Sequence, residues 1–460
     1  MTTYDDYLPY LEEKTDRAMP VKPVVWAHTS GKAGLTKWVP YTQGNLERLA
    51  NDTLAAFILS AARGKGDVRI KAGTKVVLNL PPVPYTTGIM AAIAGRRVNY
   101  QSIPPLEEAE QMDFQQRIEQ GFRMSLQTGA DCAASIAVVL AKVGESFGNM
   151  ANSSRVSLTG LHPAAVLRLL RARIRSKLAG RPMLPRDIWS MKGLVCGGTD
   201  VSILRDQIEH YWGVRPLDVY VATESGFVAT QSWNKKWMTL VPYSNFFEFI
   251  PEEERRKEQD DAHYQPKTVL LDEVTPGKVY EIVFTNFHGG PFLRYRIGDL
   301  VRVQSMRDDE TGVGLPQIVF ESRADDIIDI AGFPKLDEKT IWQAIHNTKV
   351  PYEDWTVRKE VFEGQPCLHL YVELCGNGLH ASQMASLVDE QLAACSMDYR
   401  DLRKITGTEP VKVTLLSRGT MKKYLVARQA AGSDLAHLKP AHVNAADSAI
   451  EELLKLSDSR

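Results

Sequence analysis

The nine residues Thr29–Lys37 read TSGKAGLTK and lie between two predicted strands, Val24–His28 and Lys37–Thr42. They combine small hydroxyl side chains with two glycines and two lysines. Glycine lets backbone N–H groups approach phosphate oxygens closely, and hydroxyl and lysine side chains add charge-assisted donors. The stretch is not a Walker A loop, because G-x-x-x-x-G-K-[ST] is absent and a strand follows it instead of a helix. Taken alone, it fits a phosphate-binding loop and an ordinary polar hairpin equally well.

Two later segments favour the phosphate-binding interpretation. Val219–Gly226 reads VYVATESG and follows a predicted strand. In it, the ring of Tyr220 suits adenine, Thr223 can donate to a phosphate and Glu224 can hold Mg²⁺. The second segment, LRYRIGD, ends at Asp299, whose carboxylate can accept both hydroxyls of a ribose. Each segment alone also fits a turn, but together they account for the phosphates, metal, base and sugar of ATP.

Hydrophobic patterning predicts an α/β fold class with two domains. Strands and helices alternate to about residue 225, and the character of the chain changes near 322–326. We therefore expect a large multi-sheet α/β N-terminal domain, residues 1–322, and a small α+β C-terminal domain, residues 323–460. The predicted elements of the first are helices at 44–62 and from about 87, strands at 75–80, 246–250, 268–274, 278–287 and 293–303, and a charged loop or helix end at 251–261. Those of the second are helices at 337–347, 380–396 and 420–431, and strands at 354–362, 367–374 and 411–416.

Composition excludes several classes of protein. The chain has 460 residues, more than one hydrophobic core usually supports, and its apolar (44%) and charged (24%) fractions are typical of a globular protein. A net charge of -1 gives no basic excess for nucleic acid or a membrane surface, so neither partner is expected. No apolar run reaches bilayer length, and the acidic N-terminus lacks the order of a signal peptide. Five scattered cysteines predict free thiols and a cytoplasmic location rather than a zinc site.

Four ordered motifs resemble the core motifs of the adenylate-forming superfamily, which includes acyl-CoA synthetases, nonribosomal-peptide adenylation domains and luciferases. They are Thr29–Lys37, Tyr220–Gly226, Arg294–Asp299 and Ser322–Asp326. Within it, the chain is most similar to the auxin-conjugating acyl acid amido synthetases of plants and their microbial relatives. That likeness is carried by TYDDY at 3–7, KWVP at 37–40, FFEFIP at 246–251, GKVYEIV at 277–283 and RGT at 418–420. PFLRYR at 291–296 and RADD at 323–326 resemble phenylacetate-CoA ligases more closely.

The resemblance implies a role for each matching residue. Thr223 would touch the α-phosphate and Glu224 the magnesium, and Asp325 falls where these enzymes pivot a small mobile α+β C-terminal domain. The remaining nucleotide contacts would come from Thr29, Ser30, Gly31, Lys32 and Gly34 at the triphosphate, Gly197 and Gly198 beside the adenine and acyl chain, Tyr220 at the base, and Asp299 with Arg323 at the ribose.

One catalytic role remains, the lysine that bridges the carboxylate and the α-phosphate. Lys422 and Lys423 lie in a predicted helix, where solvated positions are expected. Lys439 lies after Gly432, a predicted helix C-cap, in an irregular Leu-Lys-Pro segment. Because its spacing matches the lysine loop of the amido synthetases, we predict Lys439 in preference to the helix pair.

The implied activity is therefore ATP- and Mg²⁺-dependent ligation of a small carboxylic acid to CoA or to an amino acid. Departures from the family pattern, Lys32, Ala33 and Val221, leave open a catalytically silent relative that binds nucleotide or acyl ligand as a sensor or scaffold. The phosphate loop also begins several dozen residues earlier than in relatives. A kinase is disfavoured because its signatures are absent.

The acyl pocket is the least determined part of the site. Pro81–Gly88 and Thr128–Leu140 are apolar with small residues. The first could line a pocket for an aromatic or medium-length acid, but core packing of a strand end and a helix explains these segments at least as well. His28 beside the phosphate loop could contact the acyl group, but a strand histidine with a satisfied hydrogen bond is commoner.

Overall fold

The computed structural model describes most of the chain and divides it into two compact units, one ending at Phe320 and the other beginning at Glu321. The described residues are 1–17, 19–30, 36–112, 114–152, 162–197, 201–261, 263–323, 327–329, 335–362, 365–376, 378–396, 399–400, 403, 410–430, 441–445 and 447–458. As a boundary between functional domains, the predicted division at 322/323 stays a prediction.

The first unit is built on one large mixed sheet of eleven strands. Its strands are β3 (Lys75–Asn79), β4 (Gln101–Ile103), β5 (Cys132–Ile136), β6 (Gly193–Gly197), β7 (Leu217–Ala222), β8 (Gly226–Gln231), β9 (Met238–Leu240), β10 (Phe246–Pro251), β11 (Val279–Thr285), β12 (Tyr295–Ser305) and β13 (Gln317–Arg323). Their order is β10-β11-β12-β13-β9-β8-β7-β6-β5-β3-β4. The half from β7 to β4 is parallel, and β7 pairs antiparallel with β8.

Helices surround the parallel half, which explains the nearly continuous apolar sequence of its strands. The helices of this unit are α1 (Tyr4–Leu11), α2 (Gln43–Ala61), α3 (Thr86–Val98), α4 (Leu106–Ala109), α5 (Phe114–Thr128), α6 (Ala137–Asn152), α7 (Pro163–Leu178), α8 (Pro185–Ile188), α9 (Val201–Trp212) and α10 (Glu252–Asp260). The side chain of Thr42 caps α2 by accepting from the backbone N–H of Asn45. A separate hairpin, β1 (Val25–Ser30) and β2 (Thr36–Tyr41), flanks the phosphate-loop sequence.

The second unit packs two helices against a three-stranded sheet around buried Trp355, Leu370, Val388 and Leu392. Its elements are β14 (Ile327–Asp329), β15 (Lys335–Asp337), α11 (Glu338–Asn347), β16 (Tyr352–Phe362), β17 (Gln365–Leu374), α12 (Ala381–Cys395), β18 (Val411–Leu416), α13 (Thr420–Ala430) and α14 (Asp447–Asp458). Strand β17 pairs antiparallel with β16 and parallel with β18.

The predicted α/β class is confirmed, with two local corrections. The strand predicted at 268–274 is wrong, since only Val269 forms a bridge, to Phe249, and a turn follows. The charged stretch at 251–261 contains a helix, Glu252–Asp260, whose first turn carries three glutamates that suit the positive end of the helix dipole. Among the described residues, no helix combines the length and apolar character needed to cross a bilayer.

Candidate functional site

The turn that carries Thr223 and Glu224 connects β7 to β8 and is held by a buried tyrosine. Gly226, where β8 begins, has a φ of +68°, a conformation that favours glycine. The hydroxyl of Tyr41 donates to the backbone carbonyl of Thr223 at 2.7 Å and lies 3.1 Å from Thr86 Oγ1. Tyr41 ends β2, the strand that follows the phosphate-loop sequence. The structure thus joins the strand that follows the first predicted motif to the second motif, although 182 residues separate Tyr41 from Thr223.

Glu224 lies among tyrosine hydroxyls rather than among other acids. The hydroxyl of Tyr295 is 3.5 Å from Glu224 Oε1, at the outer limit of hydrogen bonding. Burial, and then the charge of Glu224, raise the pKa of Tyr4 to about 12 and raise the pKa of Tyr41 as well. Within the described residues, no group of three or more His, Cys, Asp or Glu side chains could hold a metal. A single carboxylate nevertheless fits Mg²⁺, which proteins usually bind through one or two carboxylates together with substrate phosphates.

The third motif meets the second through Tyr220 and Asp299. The hydroxyl of Tyr220 donates to Asp299 Oδ2, and both residues are buried, with exposed fractions of 9% and 5%. The Tyr220 ring packs edge-on against Phe320, with the centroids 5.9 Å apart. This hydrogen bond orients the Asp299 carboxylate, which is itself buried. The burial of Tyr220 leaves only a small exposed edge of its ring for the predicted contact with adenine.

Both arginines of the LRYRIGD segment are bound to carboxylates. Arg294, whose φ is +44°, donates to both oxygens of Glu248 at 2.8 and 3.0 Å. Arg296 makes bidentate pairs with Glu281 and Glu258, and the first of these raises the pKa of Arg296 most, although burial opposes it. These ion pairs fix the strand that carries Asp299, so the arginines act as supports rather than as phosphate ligands.

The N-terminal segment holds the same strand, a role that the sequence did not reveal. Thr2 forms a parallel bridge to Tyr295, and the hydroxyl of Tyr7 accepts from the backbone N–H of Leu293 at 3.0 Å. The hydroxyl of Tyr4 bonds to both backbone groups of Trp38 in β2, at 2.8 and 3.0 Å. The TYDDY sequence therefore connects the phosphate-loop hairpin to the third motif. In the sequence, only the aromatic and acidic character of TYDDY hinted at this supporting role.

A cavity beside Glu224 was also missed. It is lined by polar side chains of α2 and by apolar side chains that include Leu49, Phe227 and Phe292. Arg48 and Asp52 on its wall form an ion pair at 3.1 Å, and Ser244 donates to Asp52 at 2.5 Å. No local pattern in the sequence indicates this cavity, because Arg48 and Asp52 lie away from the apolar stripe of α2.

The two apolar segments considered in connection with the acyl pocket have different surroundings. The ring centroid of His28 is 4.1 Å from that of Tyr85, and its backbone N–H donates to Pro84, so His28 and Pro81–Gly88 lie together. Within Thr128–Leu140, the strand residues 132–134 are at most 5% exposed, and packing in the sheet accounts for them.

The remaining predicted site residues are only partly within the described structure. The backbones of Thr29 and Ser30 pair with Lys37 and Thr36 at the end of the β1–β2 hairpin, and Gly197 ends β6 opposite Val219. Arg323 ends β13, with its side chain outside the described part. The residues that lie outside it altogether are Gly31, Lys32, Gly34, Gly198, Asp325 and Lys439. Lys422 and Lys423 are exposed on α13, as expected for solvated helix residues.

The chain next to Lys439 is anchored in the second unit by His442. Its ring lies between Glu338 Oε1, 2.7 Å from Nδ1, and Asp354 Oδ1, 3.0 Å from Nε2, and stacks on Trp355 with centroids 4.5 Å apart. Its backbone carbonyl accepts from Val357 of β16 at 2.7 Å.

Comparison with known families links this chain to plant amido synthetases. A model of the GH3 family central domain matches residues 238–323. The jasmonoyl-L-amino acid synthetase GH3.5 of Oryza sativa subsp. japonica is 27% identical over 288 residues, which are 57% of this chain and 47% of that protein. The indole-3-acetic acid-amido synthetase GH3.8 of Oryza sativa subsp. indica is 25% identical over 211 residues, 42% of this chain and 33% of that protein. The matched regions thus span half or less of these curated relatives.

Solved structures show the same fold. The acyl acid amido synthetase GH3.15, in complex with 2,4-DB, aligns with a TM-score of 0.66 at 18% identity, covering 100% of this chain and 87% of that one. A 2-hydroxyisobutyryl-CoA ligase in its postadenylation state aligns with a TM-score of 0.59 at 12% identity, covering 100% and 82%. At these identities the likeness concerns the fold alone.

Proposed function

We infer that this chain, which belongs to the adenylate-forming superfamily near the auxin-conjugating acyl acid amido synthetases, is an ATP-dependent ligase that activates a carboxylic acid as an acyl-adenylate. One observation carries the proposal. Two motifs distant in the sequence meet in the first unit, where Tyr295 approaches Glu224 and Tyr220 bonds to Asp299, and Tyr41, in the strand that follows the phosphate-loop sequence, bonds to the Thr223 turn.

The first half-reaction joins two anions, so its catalysis depends on positioning and charge neutralisation. A carboxylate oxygen of the acid attacks the α-phosphorus of ATP, and pyrophosphate leaves. We assign Thr223 to the α-phosphate, Glu224 to Mg²⁺ and Asp299 to the ribose. Bound Mg²⁺ would neutralise charge on the phosphates. Lys439 would bridge the carboxylate and the α-phosphate.

In the second half-reaction an acceptor attacks the acyl carbon, loses its proton and displaces AMP. The sequence similarity extends to enzymes named as amino acid synthetases, whereas the likeness to a CoA ligase is one of fold. We therefore propose the amine of an amino acid as the acceptor, with the thiol of CoA as the competing choice.

We assign the acid to the cavity beside Glu224. Arg48 binds Asp52 through Nε and Nη2, so we assign its Nη1 group to the carboxylate of the acid, and Leu49, Phe227 and Phe292 provide apolar surface for the rest of the acid. Such a combination of a few polar groups with apolar walls is typical of small-molecule sites. Arg48→Lys keeps the charge but loses the planar guanidinium that would bind Asp52 and the acid through separate N–H groups, so we expect the KM for the acid to rise about tenfold or more. The control is Arg256→Lys, at an exposed ion pair on α10.

A panel of carboxylic acids tests the function directly. Acid-dependent exchange of pyrophosphate into ATP reports adenylation, and AMP release with each amino acid and then with CoA reports the acceptor. The proposal predicts exchange with at least one acid and faster AMP release with an amino acid. Nucleotide binding without exchange would instead indicate a silent relative that acts as a sensor or scaffold.

A further inference from the structure

Helix α7 has two apolar faces, of which only one is buried. Toward the protein it packs small or aliphatic residues, and the buried ones are Ala165, Leu169, Ala172 and Ser176. Four large aliphatic side chains lie on the opposite face, with exposed fractions of 48% for Leu167 and Leu170, 59% for Ile174 and 85% for Leu178. Their spacing of three, four and four residues places them in one stripe along the helix. Four large apolar residues aligned in this way differ from the scattered exposed residues that any surface carries.

Basic residues flank this stripe on both sides. At 3.6 residues per turn, Arg171 and Arg175 lie along one side of it, and Arg173 and Lys177 lie along the other. All four are exposed, and Arg175 also donates to the backbone carbonyl of Asp187 at 3.3 Å. The helix has no acidic residue, and Arg168, its fifth basic residue, donates to the carbonyls of Leu126 and Gln127.

The charge pattern decides between possible occupants of the face. A second copy of the chain would place one cationic helix against another, with no acidic residue in either helix to compensate. An anionic lipid bilayer offers apolar depth beneath the stripe and negative headgroups on both sides of it. Arginine and lysine side chains can extend from a buried stem toward headgroup phosphates. An aliphatic stripe between two basic borders is the pattern of helices that lie in a membrane interface.

We propose that the exposed face of α7 binds the surface of an anionic lipid bilayer. The four aliphatic side chains enter the boundary between headgroups and acyl chains, and the basic side chains pair with lipid phosphates. Helix α7 would then lie in the plane of the membrane interface. The net charge of -1 conceals this face, because the five positive charges of α7 are balanced elsewhere in the sequence.

Vesicle co-sedimentation tests the proposal with the full chain. The probes are vesicles of pure phosphatidylcholine and vesicles that contain one third phosphatidylglycerol, at low salt and at 0.5 M salt. We expect binding to the anionic vesicles only, weakened by salt. Leu170→Gln combined with Ile174→Gln should weaken binding about tenfold or more, because both side chains leave water on binding. Because the side chains of Leu170 and Ile174 are exposed, the double variant should still fold. Circular dichroism checks that it does.

A matched control separates this face from general stickiness. Val68→Gln changes an aliphatic residue that is 62% exposed elsewhere in the same unit, and it should leave binding unchanged. Failure to bind anionic vesicles, or binding that the double variant does not weaken, would overturn the proposal. Analytical ultracentrifugation without lipid tests the alternative that a second copy of the chain binds this face. A dimer that is present in the wild type and absent in the double variant would assign the face to a second copy and overturn the proposal. None of these results depends on the ligase activity.

Discussion

Raising the pH from 6.5 to 9 should loosen residues 441–445 of the second unit, because His442 loses its proton over this range. Burial alone lowers the pKa of His442. Hydrogen bonds to Asp354 and Glu338, and the charges of both carboxylates, outweigh burial and raise the pKa from 6.5 to about 9. Glu338 lies in the first turn of α11, where the helix dipole favours its negative charge. The protonated ring is therefore held from both sides.

The magnitude follows from the two pKa values. The unfolded chain loses the proton near pH 6.5 and the folded chain near 9, so the stabilisation is complete below 6.5 and is lost as the pH rises to 9. The difference between the two pKa values corresponds to a stabilisation free energy of about 3 kcal/mol, at about 1.4 kcal/mol per pKa unit. Solvent screens part of this, since the Glu338 side chain is 35% exposed, and we expect about 2–3 kcal/mol.

Hydrogen exchange measures this change where it occurs. The amide of Val357 donates to the carbonyl of His442, and the amide of Asn444 donates to the carbonyl of Val357. After correction for the intrinsic pH dependence of exchange, protection of both amides should fall about 30- to 150-fold between pH 6.5 and 9. Other groups titrate in the same window, because burial raises the pKa of Asp218 to about 7 and lowers that of Lys235 to about 8. The quantity to compare is therefore the difference between the wild type and His442→Gln.

Two variants test whether the protonated ring of His442 holds residues 441–445. His442→Gln should show little change in protection with pH, and Glu338→Gln should move the transition to lower pH, because one of the two carboxylates that raise the pKa is gone. Equal pH dependence in the wild type and in His442→Gln would show that the imidazolium does not hold the segment.

Three further predictions concern the proposed catalytic site. Lys439→Ala should slow acid-dependent pyrophosphate exchange by a factor of about 10²–10³, because a preorganised donor to the transition state is lost. Lys422→Ala should leave the exchange rate unchanged. The reverse result would assign the adenylation role to Lys422. Glu224→Gln should require more Mg²⁺ for half-maximal exchange, and an unchanged Mg²⁺ titration would remove the residue from the metal site. Tyr220→Phe should raise the KM for ATP about tenfold, because the hydrogen bond that orients Asp299 is lost. The KM for the acid should stay the same. Equal changes in both KM values would indicate general damage to the fold.

The parallel half of the sheet was predictable because burial on both faces leaves a continuous apolar signal. The strand predicted at 75–80 is found at Lys75–Asn79, and the helix predicted at 44–62 at Gln43–Ala61. The false strand at 268–274 shows the limit of that signal. Its apolar run is interrupted by a turn in which the Leu270 amide donates to the Glu273 side chain and the Glu273 amide donates back to Leu270. Local hydrogen bonds of this kind compete with a strand ladder and leave no periodicity to detect.

The site was predictable only as far as local motifs reach. Each motif shows its own chemistry, but the contacts that join motifs are long-range, such as that of Thr2 with Leu293, 291 residues away. Spacing along a chain carries no information about such pairs. The averaged net charge likewise conceals the local charge of α7. In both cases the missing information is where the fold brings distant residues together.

The tyrosines at the centre of the site suggest how it keeps its geometry when the pH changes. Tyr4, Tyr41 and Tyr220 each use a hydroxyl to hold a group of another motif: the backbone of Trp38, the carbonyl of Thr223 and the carboxylate of Asp299. Burial raises the pKa of Tyr4 to about 12 and that of Tyr41 further, so both remain neutral donors across the range in which a ligase operates. A pH-dependent loss of activity between 6.5 and 9 is therefore not expected from these two hydroxyls. With Lys439 as the adenylation lysine, a loss of activity over this pH range should instead follow the deprotonation of His442, which is three residues further along the chain. The pH-dependent loss of activity should then disappear in the His442→Gln variant.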